Sequence, residues 1–394
     1  MPNIPNIVND GLFDIAIGRN RKETSWKNKE MLWSELLQKL SATHHTAETY
    51  TEYITAKKAR QDEIKDVGGF IGGFLTGGRR KSGSVLHRQL ITLDLDFCTN
   101  EFWDDFTLLY GNAAAVYSTH KHSAATPRMR LVMPLDRPVR PDEYEAISRK
   151  VAGVLGIELF DPTTFQPERL MYWPSTSKDA PYVFHAQDGE WLCADAVLGS
   201  YRDWRDSSSW PVSAKIDKLL QRSIAKQGDP LEKPGVIGAF CRTYSIQEAI
   251  ETLLTDVYEP CGIEGRYTYL EGSTSGGLVV YDDKYAYSHH GTDPTSGKLC
   301  NAFDLVRIHR YGLRDEDVRE GTPVNKMPSY LAMIDYATSD ASVRKMIVEE
   351  KVQSARADFE ASGNVEITDV EQIDESWKER LDVDRKGNIY GTID

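Results

Sequence analysis

Residues Leu90-Ile-Thr-Leu-Asp-Leu-Asp-Phe97 alternate strictly between apolar and polar side chains. A period of two predicts a β-strand, with Ile91, Leu93, Leu95 and Phe97 on one face and Thr92, Asp94 and Asp96 on the other. The second face is the stronger constraint. Its two carboxylates project from one surface, about 7 Å apart along the strand. Like charges at that spacing are unfavourable unless a cation lies between them. Asp94 and Asp96 are therefore candidate ligands of a divalent metal, although a bare Asp-x-Asp is more often a polar strand face beside a turn.

The chain has 394 residues, enough for two domains or more. Hydrophobic content of 40% and charged content of 27% are ordinary for a globular protein. No apolar run approaches membrane-spanning length, and Met1-Pro-Asn-Ile-Pro5 has no signal-peptide layout, so a cytoplasmic location and no membrane partner are expected. The five cysteines are scattered without CxxC spacing, which indicates neither a disulfide framework nor a cysteine zinc site. A net charge of −13 argues against coating nucleic acid by bulk electrostatics. It leaves room for a local basic groove, and three clusters qualify: Lys57, Lys58 and Arg60; Arg79, Arg80 and Lys81; Arg128 and Arg130. The first is ordinary for a solvated helix face.

Leu32, Trp33, Leu36, Leu37 and Leu40 recur at helical spacing, predicting an amphipathic helix within residues 25–40. A second helix is expected over about 47–64. The glycine-rich stretch Val67–Lys81 follows, and matches neither a P-loop nor a dinucleotide-binding pattern. Ending in Arg79, Arg80 and Lys81, it is read either as lining for a phosphate or template path or as a flexible hairpin.

After a helical segment at 100–109, Ala113–His120 reads as a strand with Val116, Ser118 and His120 on one face and Ala115, Tyr117 and Thr119 on the other. A third strand, Arg128–Pro134, sets Met129, Leu131 and Met133 against Arg128 and Arg130. If the three strands form one sheet, Asp/Asp, Ser/His and Arg/Arg converge on one surface fit for a metal and a polyphosphate. A helix is expected over 141–155. Asp161 then sits at a strand end or turn, either as a turn-initiating Asp-Pro or as a third carboxylate. Leu170-Met-Tyr-Trp173 reads as a strand, with Arg169 at its start.

Leu93-Asp-Leu-Asp96, Ser118-Thr-His120 and Phe160-Asp161 resemble, in order and spacing, the three motifs of the archaeo-eukaryotic primase superfamily. Their flanks, Ser118-Thr-His-Lys-His-Ser123, Pro127-Arg-Met-Arg-Leu-Val-Met-Pro134 and Asp161–Ser175, resemble its phage and prophage primase–polymerase branch. The resemblance covers about residues 60–200. It implies an α/β (α+β) fold, with an RRM-like antiparallel sheet packed on a second α/β layer. It implies that Asp94, Asp96 and Asp161 hold two Mg²⁺ or Mn²⁺ ions, and that Ser118 and His120 hydrogen-bond the phosphates of an incoming nucleoside triphosphate. Arg128 or Arg130 would neutralise that triphosphate, and Arg169 is a looser candidate. His122 is read as peripheral. Oxygen ligands suit these metals, and two ions are the usual means of phosphoryl transfer.

The expected organisation is a catalytic domain over 1–205, a linker over 206–235, an α+β accessory domain over 236–325, and a helical segment with an acidic tail over 326–394. The linker contains a short helix at 213–224. Ser245-Ile-Gln-Glu248 is a capping box, and Arg266–Leu270 and Leu278–Tyr281 read as strands. Gly291…Gly297-Lys298 is not a P-loop, because five residues separate the glycines and Leu299 replaces the Ser or Thr. His289, His290, Asp293 and Cys300 lack the spacing of a zinc site. This region resembles the one that follows the primase domain in virulence-associated protein E-type prophage proteins, and its shape loosely resembles a primase zinc-ribbon without the cysteines. It is read as a nucleic-acid-contacting module. Relatives usually continue into a P-loop helicase, so the chain is read as a fragment or a naturally short form.

The expected function is DNA-templated primer synthesis and extension for phage or mobile-element replication in a bacterial host cell. The partners are a single-stranded DNA template, NTP or dNTP, and a helicase in cis or in trans. Two other readings stay open: a metal-dependent nuclease, which the same acids and histidine would suit, and a non-catalytic replication-initiation module that keeps the fold.

Overall fold

A computed structural model of the chain describes residues 4–319, 321–361 and 381–391. Its contacts divide the chain into two units, one of Met1–Leu219 with Glu271–Gly277 and His289–Gly297, the other of Leu220–Leu270, Leu278–Ser288 and Lys298–Asp394.

The first unit opens with a hairpin of β1 (Leu12–Gly18) and β2 (Lys27–Leu32), followed by α1 (Trp33–Ser41). The helical spacing begins only at Trp33, and Lys27–Leu32 pairs as a strand where a helix was expected. Trp33, Leu36, Leu37 and Leu40 are the buried face of α1. A short strand, β3 (His44–His45), precedes two helices, α2 (Tyr50–Thr55) and α3 (Lys58–Ile64), which replace the single helix expected there. Thr49 caps α2 with its side chain, and the chain turns extended at Ala56 before α3 begins.

The glycine-rich stretch is not a flexible hairpin. It forms two buried strands, β4 (Gly69–Ile71) and β5 (Gly73–Leu75), which belong to different sheets. Gly72 is the joint. A Cβ there would lie 2.5 Å from Leu90 Cβ, and one on Gly73 would lie 2.0 Å from the His87 carbonyl oxygen. The glycines allow two backbones to pass at close range.

The chain continues through β6 (Val85–Leu95), α4 (Phe102–Leu109), β7 (Ala114–Ser118), β8 (Met129–Val139) and α5 (Pro141–Leu155). Then come β9 (Met171–Tyr172), β10 (Ser175–Thr176), β11 (Phe184–Gln187) and α6 (Ala194–Gly199). One sheet has the order β2-β1-β4-β9 and the other β11-β7-β8-β6-β5, both antiparallel, and a parallel β3–β10 pair stands apart. The three strands read from the sequence are therefore neighbours, with β8 in the middle.

Both faces of β6 are covered. Ile91, Leu93 and Leu95 pack with Val116 and Leu131 under Phe102, Phe106, Tyr144, Ile147 and Val151 of α4 and α5. Leu90, Ala115, Tyr117 and Val132 pack against Phe13, Ile15, Phe70 and Met171 of the first sheet and the leucines of α1. The polar face of β6 thus looks toward a second sheet and not into water: Thr92 is fully buried and Asp94 is 8% exposed. Buried Arg88 is satisfied by the carbonyls of Gly72, Pro167 and Leu90 and the hydroxyl of Thr92, and lies 4.0 Å from the Tyr144 ring.

Two loops distant in sequence complete this unit. The N–H and hydroxyl groups of Ser273 and Thr292 all donate to the carboxylate of Asp142, in the first turn of α5. Segments 271–277 and 289–297, expected inside the accessory domain, so belong with the first unit. The stretch 206–235, expected as a linker, contains the helix α7 (Lys215–Gln227), and the division between units falls within it.

The second unit comprises α8 (Gly235–Thr243), α9 (Ile246–Leu253), an antiparallel sheet of β12 (Tyr258–Pro260), β13 (Arg266–Tyr269), β14 (Leu278–Tyr281), β15 (Tyr285–Ser288) and β16 (Leu299–Cys300), then α10 (Ala302–Tyr311), α11 (Pro328–Ser339) and α12 (Ala341–Ala361). Ser245 and Glu248 form the expected capping box on α9. The core gathers Phe240, Ile250, Leu278, Phe303, Met333 and Ile347. Residues 362–380 and 392–394 of the expected acidic tail lie outside the described residues, and between them β17 (Leu381–Val383) and β18 (Ile389–Gly391) pair as a hairpin. The fold is mixed α/β with antiparallel sheets. Among the described residues no helix is long and apolar enough to cross a membrane.

Candidate active site

At the end of the central sheet, strand register sets one row of side chains across three strands. Asp94 of β6 is the partner of Arg130 of β8, and Arg130 is the partner of Tyr117 of β7. All three stand on the face turned toward the first sheet. Arg130 Nε donates to Asp94 Oδ1 at 2.7 Å, and its Nη1 donates to the Tyr172 carbonyl at 3.3 Å. Tyr117 donates its hydroxyl to the same carbonyl at 3.0 Å, and the rings of Tyr117 and Tyr172 each lie 5.7 Å from the Arg130 guanidinium carbon. Arg130 is thereby held from several sides.

The third carboxylate arrives from a turn. The Asp161 N–H donates to the Asp94 carbonyl at 3.0 Å, and the Asp94 N–H donates to Thr164 Oγ1 at 2.7 Å, so the 160–164 segment docks on the end of β6. Asp161 Oδ1 accepts from the Thr163 N–H at 2.8 Å and from its hydroxyl at 2.7 Å. A single guanidinium joins the two acids, with Arg169 Nε donating to Asp94 Oδ2 at 3.4 Å and Arg169 Nη2 to Asp161 Oδ2 at 2.8 Å. Asp96, one residue past β6, pairs with Arg128 Nη1 at 2.8 Å.

Asp94 and Asp161 thus share Arg169, Asp94 also binds Arg130, and Asp96 and Arg128 form a pair of their own where the same two strands end. Burial works against the charge on Asp94, but Arg130 and Arg169 outweigh it and hold its pKa below the ordinary value. Arg130 and Arg169 are held above theirs by the same acids, against burial. Burial pushes the hydroxyl of Tyr117 up to about 12.

The register corrects the face assigned to Ser118. Ser118 has the parity of Val116, and Tyr117 takes the position beside Arg130. The Ser118 N–H donates to the Val183 carbonyl at 2.9 Å, and its hydroxyl accepts from the Val183 N–H at 3.0 Å. His120, two residues past β7, belongs to a different cluster. Its Nδ1 is 2.9 Å from Ser175 Oγ, its Nε2 lies 3.1 Å from Glu48 Oε1 and 3.3 Å from Ser177 Oγ, and the Tyr53 ring centroid is 4.2 Å from its own. Burial lowers its pKa in spite of Glu48. His122 accepts from the Arg128 N–H through Nδ1 at 3.2 Å, which ties it to the start of β8.

Of the basic cluster at 79–81, Arg80 donates to the carbonyls of Glu168 and Arg21 at 3.4 and 3.3 Å and lies 5.7 Å from the Trp26 ring. His290 is fully buried, with Nδ1 2.6 Å from Thr274 Oγ1 and Nε2 accepting from the Gly277 N–H at 3.1 Å.

Three residues at the site had no signal in the sequence. Tyr117 had been placed on the opposite face, and Tyr172 sits in a strand of only two residues. Lys65, at the end of α3, has Nζ 5.0 Å from the Tyr172 ring and pairs with Asp62 at 2.9 Å; burial lowers its pKa.

Among the described residues, no group of three or more His, Cys, Asp or Glu is arranged to hold a metal as it stands. The donor set nevertheless suits a hard cation: Asp94 and Asp161 already share one positive group, and their ligand atoms are carboxylate oxygens. What occupies the position is the guanidinium of Arg169.

Two solved structures are similar to parts of the chain. One is the AEP domain of the Cyanophage S-2L primase-polymerase, at 11% identity over 48% of this chain and 87% of that one, with a TM-score of 0.27. The other is primase RepB′, at 12% identity over 62% of this chain and 72% of that one, with a TM-score of 0.27. No curated protein matches. Residues 2–213, more than half of the 394, match the model of the VapE N-terminal domain, and the chain belongs to that family.

Proposed function

We propose that this protein is a DNA-templated nucleotidyltransferase that makes and extends primers on single-stranded DNA. The observation that carries the reading is the meeting of Asp94 and Asp161 on one guanidinium, with Arg130 on Asp94 and the Asp96–Arg128 pair at the end of the same two strands. Acids and arginines from four separated segments at one sheet end match what nucleotide polymerisation needs: oxygen ligands for cations and guanidiniums for a triphosphate. The motif resemblance of Asp94/Asp96, Ser118/His120 and Asp161 supports the same reading.

In this reading Asp94, Asp96 and Asp161 hold Mg²⁺ or Mn²⁺, which when bound neutralises phosphate charge and activates the attacking hydroxyl. The arginines bind and orient the triphosphate, Arg128 and Arg169 from the more open positions, with side chains 30% exposed. Arg130 is fixed by Tyr117 and Tyr172 and orients Asp94. Ser118 supports the site from the opposite face through Val183, and His120 braces the wall formed by Glu48, Tyr53 and Ser175. The hydrogen bonds of Ser118 and His120 to protein groups favour this positioning role over direct phosphate contact. A helicase in cis or in trans and the cytoplasm of a bacterial host are the context the reading implies.

The balanced charge of the site also suits a non-catalytic initiation module that binds nucleotide and DNA without turnover. Template-directed incorporation of labelled ATP and dATP, with and without primer, decides between them. Incorporation that requires Asp96 supports the proposal, and DNA binding without incorporation favours the module. Degradation of single-stranded DNA with Mn²⁺ and no nucleotide would make it a nuclease.

A further inference from the structure

We propose that Arg169 is an internal stand-in for the cation, so that metal enters the site only together with a triphosphate that takes the guanidinium in exchange. The inference rests on the nucleotide-binding part of the reading above and adds the order in which the site is filled.

The atoms of the two acids divide cleanly. Asp94 Oδ1 is committed to Arg130, and Asp161 Oδ1 to the backbone and hydroxyl of Thr163. Asp94 Oδ2 and Asp161 Oδ2 are each engaged by Arg169. Moving Arg169 therefore frees two oxygens that already converge on one positive group, while the other two keep both carboxylates in place. This is a preformed pair of ligands with its occupant supplied by the chain.

The occupant can leave. The Arg169 side chain is 30% exposed, against 11% for Arg130. Its backbone N–H closes a turn onto the Gln166 carbonyl, just ahead of β9, so the side chain can swing without unpairing a strand. Arg130, clamped by Tyr117 and the Tyr172 carbonyl, stays.

A metal ion alone would have to expel a guanidinium from two carboxylates and leave that charge beside itself, which repulsion opposes. A triphosphate removes the penalty, since its oxygens accept the planar fork of an arginine in two parallel bonds. Metal and nucleotide then strengthen each other's binding by the same factor, as linkage requires. With Arg169 in place, the carboxylates of Asp94, Asp96 and Asp161 are matched by three guanidiniums.

The test is titration of the full chain with Mn²⁺, following free Mn²⁺ by its paramagnetic resonance signal, with and without dATP and with no DNA present, each dATP series read against the same Mn²⁺ and dATP without protein because dATP itself chelates the ion. Wild type should bind Mn²⁺ weakly alone and at least tenfold more tightly with dATP. Arg169→Gln should bind Mn²⁺ alone at least tenfold more tightly than wild type and lose most of the dulling effect of nucleotide absence. Arg169→Lys, a cation without the fork, should fall between them. Adding Asp161→Asn to Arg169→Gln should remove the gain, which locates the ion. Equal Mn²⁺ affinity in wild type and Arg169→Gln, or a gain that survives Asp161→Asn, would overturn the proposal. The two readings fail separately: incorporation without the Arg169 effect defeats the stand-in alone, and the Arg169 effect without incorporation defeats the polymerase alone.

Discussion

Asp94 and Arg130 stand opposite one another in the register of β6 and β8, joined by a 2.7 Å hydrogen bond, with each side chain only 11% exposed. The pair supports the fold, because removing one partner strands a charge in a nearly closed space. Asp94→Ala should therefore cost about 3–5 kcal/mol of stability in urea unfolding, the usual range for breaking a buried pair from one side. It should also abolish any incorporation. Asp96→Ala removes a carboxylate whose side chain is 33% exposed and should change stability by less than about 1 kcal/mol, with the same loss of activity. Of the two, Asp96→Ala is the cleaner test of chemistry.

The buried ring of His120 makes stability depend on pH. Its folded pKa lies below the ordinary 6.5 because of burial, with Glu48 and Lys65 the charged groups facing it. Between the folded value and 6.5 the unfolded chain binds more protons than the folded one, so stability rises with pH there. The contribution is complete above 6.5 and is lost as the pH falls toward the folded value. Urea midpoints measured from pH 7.5 down to 5 (roughly the range in which an imidazole titrates) should fall, and should fall less in His120→Gln.

Asp142 anchors two loops by accepting from the N–H and hydroxyl groups of both Ser273 and Thr292, and it is fully buried. Asp142→Ala would leave both N–H groups without that partner, at about 1–3 kcal/mol each. Hydrogen exchange should quicken at 271–277 and 289–297 while β6–β8 stay protected. Unchanged exchange in both loops would show that other contacts hold them.

Gly73→Ala places a methyl group 2.0 Å from the carbonyl oxygen of His87, a backbone atom that can yield only by shifting β6. A loss of about 1–3 kcal/mol or more is expected. The displacement should reach the Asp94 end of the same strand, so nucleotide binding should weaken along with the melting temperature.

The alternation at Leu90–Phe97 was legible because a strand exposes its period directly, and it placed Asp94 correctly opposite Leu93 and Leu95. Asp161 was legible only through the motif that it shares with Asp94 and Asp96. Ser118 and Tyr117 were exchanged because parity within a strand does not say which face meets which on the neighbouring strand. That is fixed by register, and a slip of one residue turns every side chain over. The glycines at 67–78 announced close approach but not to what, since the surfaces that approach are Leu90 and His87 on another strand.

By itself, then, the sequence determined the local periods, the strand carrying two acids, the arginine-bearing strand and the order of the chemical groups along the chain. These depend on interactions between residues a few positions apart. Only the tertiary structure decided that Tyr117 joins the row, that His120 goes to Glu48 and Ser175, and that Arg169 closes over Asp94 and Asp161. Those contacts join segments up to 75 residues apart. Their geometry is set by how two sheets meet, and no local period encodes that.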